Sequence, residues 1–492
     1  MSTRIHRLTL SLLFPAGIAP GDGGDFNSLA IAKNGKGEPV LRGTALAGAI
    51  RHAWRRHLER HGLNADEVKR QVENLFGFAL DGELATHGQE SRLVVPDSVL
   101  RVGQSGVSPK THHLRNRHTR VVADGGLFSL DACPPGTTAT LTLWLQDDAE
   151  PAADSVNFLQ RLVGWLDSGM TLGGKSARGI GLVRLASPAI HHCHDLANLT
   201  EHAMFLDEHR AWRMNHSHEF PGTNLTAASD DASSLKIAVS LVIPRGQDLL
   251  VGDGQGLDFE IEPQRVTAAD GQEYWRLPGA SLRGLFRSWM TRLAAREGKP
   301  IADDAVRHLR ARAVNGDAAD QFNGDNLGWC FLPQDQRKQG VAKTNCPIAS
   351  LFGSLIQAGR IHIGDSLARC SAKKNDRFPE EQMRMHVAVD RITGGAAESM
   401  LFRNSVLTAQ PNGRSPQFDV AIRITDPTAD EVRWLAKTLR ALHVGVLRVG
   451  SSKSSGRLAV QGEPMPDGLQ KDVFTSAWQS KRQPMSESRS AT

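Results

Sequence analysis

Two stretches of the chain alternate apolar and polar residues with the period of a half-buried β-strand. They cover residues 5–14 and 235–243, and each is followed by a loop rich in glycine and aspartate. A segment of helical periodicity then follows, at residues 44–60 and again at 281–296. The pattern therefore predicts the same opening, strand–loop–helix, twice. The remaining predicted elements also come in pairs, one in each half: strands at 137–145 and 418–425, second helices at 156–168 and 429–444, and last strands at 180–185 and 457–461.

Short motifs recur in the same order in the two halves, which indicates an internal duplication. Each half has a Gly-Asp-Gly loop, then L-x-G-x-x-L-x-G-x-x-R, then Leu-Phe-Gly, then an Asp-Ser pair, and each closes on a basic glycine-rich loop. The paired positions are 21–26 with 252–259, 41–51 with 277–287, 75–77 with 351–353, 97–98 with 365–366, and 172–181 with 449–457.

The order β-α-β-β-α-β is that of the ferredoxin-like fold, which RRM domains share. We therefore expect an α+β protein with two tandem ferredoxin-like, RRM-like domains, at residues 1–187 and 234–463. Residues 188–233 lack a clean periodicity and are interpreted as a linker, and the polar residues 464–492 as a disordered tail. Thr44 and Ser281 are candidate caps for the two first helices.

Composition and charge narrow the class of protein only a little. The 492 residues carry a net charge of +5, which permits a nucleic-acid partner without requiring one. The five cysteines are scattered and form no CxxC pair, which favours a reducing compartment, so we expect a cytoplasmic protein. No apolar run reaches the roughly 18 residues of a membrane-spanning helix. The strand-like alternation near the N-terminus argues against a signal peptide.

The two glycine-rich basic loops are candidate phosphate-binding sites. Successive glycines let backbone N–H groups converge on an anion, and a lysine adds a positive charge. The alternative is a tight turn with a solvated lysine, but recurrence in both halves favours the phosphate contact. The spacing is not that of a Walker A loop. The candidate residues are Gly174, Lys175, Ser176 and Arg178 in the first loop and Ser452, Lys453 and Ser454 in the second.

The L-x-G-x-x-L-x-G-x-x-R helices are a second candidate RNA contact. Arginines three and four residues apart form a basic stripe that fits a nucleic-acid backbone, and helix N-termini offer N–H groups to phosphate. The alternative is an ordinary amphipathic helix with a solvated charged face. Arg51 and Arg287 are favoured because they match across the repeat. The full set of candidates is Arg42, Thr44, Arg51, Ser281, Arg283 and Arg287.

This combination of helix motif, Leu-Phe-Gly, Asp-Ser strand and terminal Gly-Lys-Ser loop resembles the RAMP superfamily. Within this superfamily, the sequence is most similar to the backbone subunit of type III (Csm/Cmr-type) CRISPR effector complexes. The resemblance covers residues 5–187 and 235–462. Backbone subunits are usually single domains, so the pair resembles the double-backbone fusions of type III-D-like systems.

The resemblance implies that each domain grips CRISPR guide RNA with its sheet, first helix and glycine loop. A β-hairpin, the thumb, would insert across the duplex of the guide with a single-stranded target RNA. The thumbs would be residues 99–122, with Arg115, Arg117 and Arg120, and residues 383–404, with Arg391. Exposed loops with ordinary basic residues are the alternative. The implied partners are a large polymerase-like subunit, a capping subunit and small helical subunits, with no membrane.

The resemblance also implies a catalytic aspartate between the first strand and first helix. Asp25 and Asp258 occupy that place, and Asp22 and Asp253 are rivals in the same loops. A divalent cation, Mg²⁺ or Mn²⁺, held there would support cleavage of target RNA by its own 2′-hydroxyl, and no organic cofactor is expected. The alternative for the loop is a plain turn.

Two other functions remain open from the sequence. A purely structural scaffold would bind guide RNA and leave cutting to a partner. A guide-processing endoribonuclease would use a histidine near the first helix, His52 or His57, but the position that matches His52 is Ser288.

Histidines cluster at 191–194, around Cys193, and at His112, His113 and His118 near Cys133. Neither group has a complete two-plus-two zinc spacing. Polar residues on exposed loops are the favoured interpretation of both groups.

Overall fold

A computed structural model gives the structure of the protein for most of its length. It describes residues 3–21, 28–79, 88–115, 122–147, 153–173, 179–214, 220–228, 234–252, 261–301, 346–353, 358–370, 381–390, 392–410, 414–450 and 456–480.

The described part of the chain divides into two compact units. The first comprises Met1–His113, Leu127–Asp231 and Val266–Tyr274, and the second comprises the remainder. The helices of the first half are α1 (Gly43–Arg60), α2 (Ala65–Phe76), α3 (Ala153–Asp167) and α4 (Leu199–Met214). Its strands are β1 (Arg4–Phe14), β2 (Ser28–Leu29), β3 (Val40–Leu41), β4 (Phe78–Ala79), β5 (Gly88–Gln89), β6 (Leu93–Val94), β7 (Ser98–Arg101), β8 (Ser108–Arg115), β9 (Val122–Ala132), β10 (Thr137–Asp147), β11 (Arg184–Leu185), β12 (Ala189–Asp195) and β13 (Thr223–Leu225).

The second half repeats this plan, with fewer strands among its described residues. Its helices are α5 (Gly279–Arg296), α6 (Pro347–Phe352), α7 (Ala429–His443) and α8 (Lys471–Gln479). Its strands are β14 (Ser234–Val242), β15 (Asp248–Leu249), β16 (Arg265–Thr267), β17 (Glu273–Leu277), β18 (Ile361–Ile363), β19 (Ser366–Arg369), β20 (Glu381–Val389), β21 (Ala396–Thr408), β22 (Gln417–Thr425), β23 (Ala459–Val460) and β24 (Met465–Gly468).

Each unit is built on an antiparallel sheet whose strand order is ferredoxin-like. In the first sheet β12 and β11 pair with β1, β1 with β10, and β10 with β7. In the second, β23 and β24 pair with β14, β14 with β22, and β22 with β18. Numbered by their place in the β-α-β-β-α-β order, both sheets run 4-1-3-2. The predicted fold class, α+β with ferredoxin-like domains, is confirmed.

One face of each sheet carries the core, as the alternation predicted. In the first unit Leu8, Leu10 and Leu12 of β1 are fully buried in one cluster with residues of α1 and α3. In the second, the inward-facing residues of β14 pack with Phe286 of α5 and Trp434 of α7. Successive side chains of a strand point to opposite faces of the sheet. The helices α1, α3, α5 and α7 contribute residues to the buried clusters, so they all lie on the core face.

The interpretation of residues 188–233 as a linker is wrong for much of their length. β12 pairs with β1 over six positions, from Arg4↔Asp195 to Thr9↔Ile190, and α4 follows it. α4 covers the sheet face opposite the core: its Glu208 accepts a hydrogen bond from the buried Arg7, and Trp212 packs edge-on against Trp144 of β10. The periodicity was uninformative because the apolar residues of α4 form no single stripe.

The start of the predicted disordered tail is also ordered. β24 pairs with β14, and Phe474 of α8 is buried in the core of the second unit. α8 packs on α7, where Trp478 contacts His443. Residues 481–492 lie outside the described residues. The two halves therefore share a strand beyond the predicted domain, β12 or β24, but the helix that follows it covers the outer sheet face in the first unit and the core side in the second.

No helix in the described part of the chain is long and apolar enough to cross a membrane.

Candidate RNA-binding surface

The first helix of each unit begins at a glycine pressed against a strand end. A Cβ at Gly43 would lie 1.9 Å from the Val95 carbonyl oxygen, and one at Gly279 would lie 2.1 Å from the carbonyl oxygen of Ile363. Real Cβ atoms do not come so close to a carbonyl. The first glycine of the repeated motif is therefore fixed by packing, and it needs no functional explanation.

The Asp-Ser pairs of the repeat cap these helices. Asp97 Oδ1 accepts a hydrogen bond from the Gly43 N–H at 2.8 Å, and Asp365 Oδ1 accepts one from the Gly279 N–H, also at 2.8 Å. The pair recurs in the sequence of both halves, but a capping role was not predicted for it. Recurrence of an aspartate after a β-branched run was the available signal.

The predicted caps Thr44 and Ser281 are wrong. The N-cap positions are Arg42 and Pro278, and neither makes a side-chain cap hydrogen bond. Long-range carboxylates, 54 and 86 residues away, take that place. Because a carboxylate already occupies each N-terminus, the expected outward N–H groups are poor sites for a second anion. Thr44 and Ser281 themselves are exposed.

The second glycine of the motif differs from the first. Apart from the neighbouring residues and backbone of its own helix, no described atom lies within 4 Å of a Cβ built at Gly48 or at Gly284, and both glycines are exposed. A glycine inside a helix costs about 1 kcal/mol relative to alanine. Internal packing does not explain why both units carry that cost. Arg51 and Arg55, which follow on the same helix, are exposed, so this side of α1 is small and basic.

Two of the predicted RNA-binding arginines are engaged within their own domain. Arg283 donates to the carbonyl oxygen of Phe352 and lies over its ring, with 5.5 Å from the guanidinium carbon to the ring centroid. It thus links the helix motif to the Leu-Phe-Gly landmark. Arg42 lies 3.3 Å from Asp97, although its side chain is still 39% exposed. Arg287 is half-buried.

The two ends of each glycine-rich basic loop occupy equivalent positions in the two units. In the first unit Leu172 N–H donates to Gly181 O at 2.7 Å, and in the second Val449 N–H donates to Gly456 O at 2.8 Å. Gly181 and Gly456 have φ values of +82° and +94°, and a Cβ on either would meet a carbonyl oxygen. These end glycines are therefore required by the loop closure, which pins the two ends together.

The bases of the glycine loops adjoin the bases of the aspartate loops. Gly181 N–H donates to Gly17 O at 2.8 Å, and a Cβ at Gly173 would lie 2.9 Å from Ala19 O. In the second unit Gly456 N–H donates to Asp248 O, and a Cβ at Gly450 would lie 2.1 Å from the carbonyl oxygen of Leu250. Both units therefore bring the last residues before the aspartate loop against the ends of the lysine loop.

Many of the predicted site residues fall outside the described residues, so their predictions stay predictions. They are Asp22, Asp25, Arg117, Arg120, Gly174, Lys175, Ser176, Arg178, Asp253, Asp258, Arg391, Ser452, Lys453 and Ser454.

Both predicted thumb segments contain a strand of a pair, but the first pair extends past the predicted range 99–122, because β9 runs from Val122 to Ala132. In the first half β8 pairs with β9, and Arg115 ends β8, although its side chain is not among those described. In the second half β20 and β21 form an antiparallel hairpin, with a bulge between Val387 and Val389. Its exposed apolar side chains form a row along β20 to the tip: Met383, Met385, Val387, Val389 and Ile392.

The tip of the second hairpin is held by one aspartate. Asp390 Oδ1 accepts hydrogen bonds from the backbone N–H groups of Ile392 and Thr393, both at 2.8 Å. These hydrogen bonds, Thr393 first, lower the pKa of Asp390. Arg384, at the other end of β20, makes two contacts to Asp248 at 3.1 and 3.2 Å. Arg384 therefore ties β20 to Asp248, and Asp390 holds the described residues Ile392 and Thr393.

The alternative catalytic histidine His57 is not placed for surface chemistry. It is 6% exposed and lies between Trp54, at 5.4 Å between ring centroids, and Trp165, at 6.0 Å. A general acid or base for RNA must reach solvent-borne substrate. His57 packs as part of the core instead.

The interpretation of the histidines at 191–194 as loop residues is wrong, because all four positions lie in β12. For the second histidine group, the side chains of His112 and His113 and the whole of His118 lie outside the described ones. Its neighbour Cys133 is fully buried, and burial raises the pKa of its thiol to about 12. A thiol held protonated in this way is a poor metal ligand.

A family model described as the RAMP superfamily matches residues 20–184 and 247–457. The chain belongs to the RAMP superfamily. The two matched ranges fall on the two ferredoxin-like domains, so the tandem arrangement of RAMP domains is shown. Membership indicates an RNA-binding function associated with CRISPR systems. RAMP proteins typically work in multi-subunit complexes. No curated protein matches the chain.

Proposed function

We propose that the protein is a guide-RNA-binding backbone subunit of a type III CRISPR effector complex, in which each RAMP domain holds part of the guide–target duplex. The observation that carries this proposal is the repeated adjacency of the lysine-loop ends and the aspartate-loop base. A phosphate-binding loop beside a carboxylate loop suits a site that holds RNA and its metal ion together.

The open face of the first helix supplies a route for the RNA backbone. Gly48 lets a phosphate–sugar chain approach α1 closely, and Arg51 and Arg55 offer positive charge beside it. Arginine binds phosphate with two parallel hydrogen bonds, so it positions as well as attracts. Gly284 provides the same open surface on α5.

The hairpin of β20 and β21 suits the thumb role. A row of exposed apolar side chains on a soluble protein indicates a surface that meets a partner. Met385 and Val387, which are 53% and 48% exposed, offer apolar surface for contact with nucleobases. Apolar side chains inserted between bases unstack them, which would splay a target strand at the hairpin.

Cleavage of target RNA at one site per domain completes the proposal. Asp25 and Asp258 would each hold a Mg²⁺ or Mn²⁺ ion against the scissile phosphate, with Asp22 and Asp253 as rivals. The 2′-oxygen of the splayed nucleotide would lose its proton to solvent and attack the adjacent phosphate in line, which forms a 2′,3′-cyclic phosphate and breaks the bond to the 5′-oxygen of the next nucleotide. The ion would stabilise the charge that develops, and the departing 5′-oxygen would take up a proton from solvent. Aligning these groups supplies most of the rate enhancement, so one carboxylate per site suffices.

The test is cleavage of a complementary RNA by the assembled complex with a defined guide. We expect two cuts that require a divalent cation, with Asp25→Ala removing one and Asp258→Ala removing the other. Asp22→Ala and Asp253→Ala, in the same loops, test the rival assignment, and we expect both cuts to remain in these variants. Unchanged cutting by the Asp25→Ala/Asp258→Ala double variant would overturn the catalytic assignment, and guide binding without any cut would favour the structural scaffold.

A further inference from the structure

A histidine–glutamate cluster joins β12 to α4 in the first unit. Because side chains alternate along a strand, His192 and His194 share one face of β12, while His191 and Cys193 share the other. The first face meets α4, which contributes Glu201 and Glu208. These residues lie beyond the matched range 20–184, so the cluster is not part of the matched RAMP domain.

The distances within the cluster are those between ligands of one metal ion. Glu201 Oε2 lies 3.2 Å from His192 Nε2 and 3.3 Å from His194 Nδ1. With metal–ligand bonds of roughly 2.0–2.2 Å, two ligands of a tetrahedral zinc ion are about 3.4 Å apart. The ligand atoms of all three residues lie within 4.8 Å of one another.

The hydrogen bonding of the buried His194 ring also points to a ligand here. His194 is fully buried, and its Nε2 lies 3.0 Å from Glu208 Oε2. A carboxylate only accepts, so Nε2 carries the proton, and in a neutral imidazole Nδ1 is then an unprotonated acceptor. Nδ1 makes no hydrogen bond to any residue that the structure describes, yet it faces the Glu201 carboxylate. A cation bound between Nδ1 and the Glu201 carboxylate would satisfy both groups, and His192 lies within reach of the same ion.

The surroundings supply the outer support that metal sites use. A metal-bound histidine normally donates its other ring N–H to a carboxylate, which fixes the ring. Glu208 does this for His194 and is held in turn by the buried Arg7 of β1. The side chains of His192 and Glu201 are 28% and 31% exposed, which leaves access for an ion and for water.

We propose that His192, His194 and Glu201 bind a zinc-class divalent cation, with water at the fourth position, and that the ion fastens α4 to β12. Two imidazoles and one carboxylate favour zinc over magnesium or calcium, which prefer oxygen ligands throughout. The proposal is independent of the RNA function.

The test is titration of the metal-stripped full-length protein with Co²⁺, whose visible spectrum reports four-coordinate geometry, followed by displacement with Zn²⁺. We expect one tight site in the wild type, and at least tenfold weaker binding in His192→Gln and in Glu201→Gln. His191→Gln, one position away on the opposite strand face, is the matched control and should bind as the wild type does.

A second measurement guards against loss of structure in the variants. Zn²⁺ should raise the thermal unfolding midpoint of the wild type and of His191→Gln, and should protect α4 from hydrogen exchange, because an ion that binds only the folded state stabilises it. Circular dichroism of the metal-free variants checks that they fold. Equal Co²⁺ binding by the wild type and Glu201→Gln, or no tetrahedral spectrum in the wild type, would overturn the proposal.

Discussion

Asp97 and Asp365 hold the same place in the two units, but their surroundings differ. The Asp365 side chain is 1% exposed and forms a salt bridge with Arg276 at 2.5 Å. The Asp97 side chain is 49% exposed, and its partner Arg42 is also partly in solvent. Removal of one partner of a buried ion pair destabilises the folded state much more than removal of one partner of an exposed pair.

Asp365→Ala should therefore destabilise its unit more than Asp97→Ala destabilises the other. We expect a loss of about 3 kcal/mol in the free energy of unfolding for Asp365→Ala, because a cap and a buried pair are lost together. For Asp97→Ala we expect about 1 kcal/mol, the cost of a cap alone. Denaturation followed by hydrogen exchange resolves the two units. Asp467→Ala, an exposed residue of β24, serves as control, and equal losses at the two caps would contradict the account.

His6 and His191 form a second pair of residues with a measurable consequence. Their rings stack at 5.3 Å, and His6 Nδ1 lies 3.0 Å from His191 Nε2. Burial, followed by the charges of His6 and His192, lowers the pKa of His191 to about 4. Burial also lowers the pKa of His6 more than its hydrogen bond with Asp147 raises it.

The first unit should therefore lose stability in mild acid. A histidine whose pKa is depressed in the folded state binds protons more readily when unfolded. The free energy of unfolding is therefore highest above about pH 6.5, and it declines as the pH falls towards 4. Urea denaturation at pH 7.5 and pH 5 measures the decline. In His191→Gln the difference between the two pH values should shrink, and an unchanged difference would exclude His191 as its source.

At the scale of elements, α1 and α5 combine a packed side with an open side. Leu46 and Ile50 are buried on one side of α1, and Gly48 faces solvent on the other. If the open side receives RNA, adding a side chain there should leave folding intact and obstruct binding.

Gly48→Gln is the corresponding prediction. Glutamine favours helix over glycine by roughly 0.5–1 kcal/mol, so the free energy of unfolding should rise or stay unchanged. RNA affinity should fall about tenfold, which corresponds to about 1.4 kcal/mol of lost binding free energy. Ala203→Gln, on the exposed side of α4, places the same side chain elsewhere on the first unit and should leave affinity unchanged. Equal RNA affinity in Gly48→Gln and the wild type would show that RNA does not pass over α1.

The elements that could be predicted from the sequence are those with a clear periodicity. β1 alternates from Leu8 to Leu12, and the buried positions of β14 alternate from Leu235 to Leu241. α7 carries an apolar stripe and a capping box at Thr428, so the type and position of all three elements followed from local rules. α4 was missed because its apolar residues form no single stripe, and Leu199, Leu206 and Met214 are exposed. The caps at Asp97 and Asp365 could not be predicted because they join residues far apart in the chain.

At the scale of the whole molecule, the duplication predicted from repeated motifs is present as two ferredoxin-like units. The motifs themselves divide into two kinds once their positions are known. The first glycine of the helix motif, the Asp-Ser pair and Arg283 maintain the fold. Packing does not account for the second glycine, and the exposed Arg51 and Arg55 lie on the same helix as Gly48. These features, together with the adjacency of the two loop bases, support the RNA-binding proposal.

The central claim is that the protein holds CRISPR guide RNA, and sequencing of the RNA that co-purifies with the full-length protein from its native cells tests it most directly. We predict a discrete class of small RNAs with a repeat-derived 5′ tag, and a marked depletion of this class with the Lys175→Ala/Lys453→Ala double variant. Lys471→Ala, on α8, should retain the RNA. Recovery of no RNA, or of random fragments without the tag, would contradict the account.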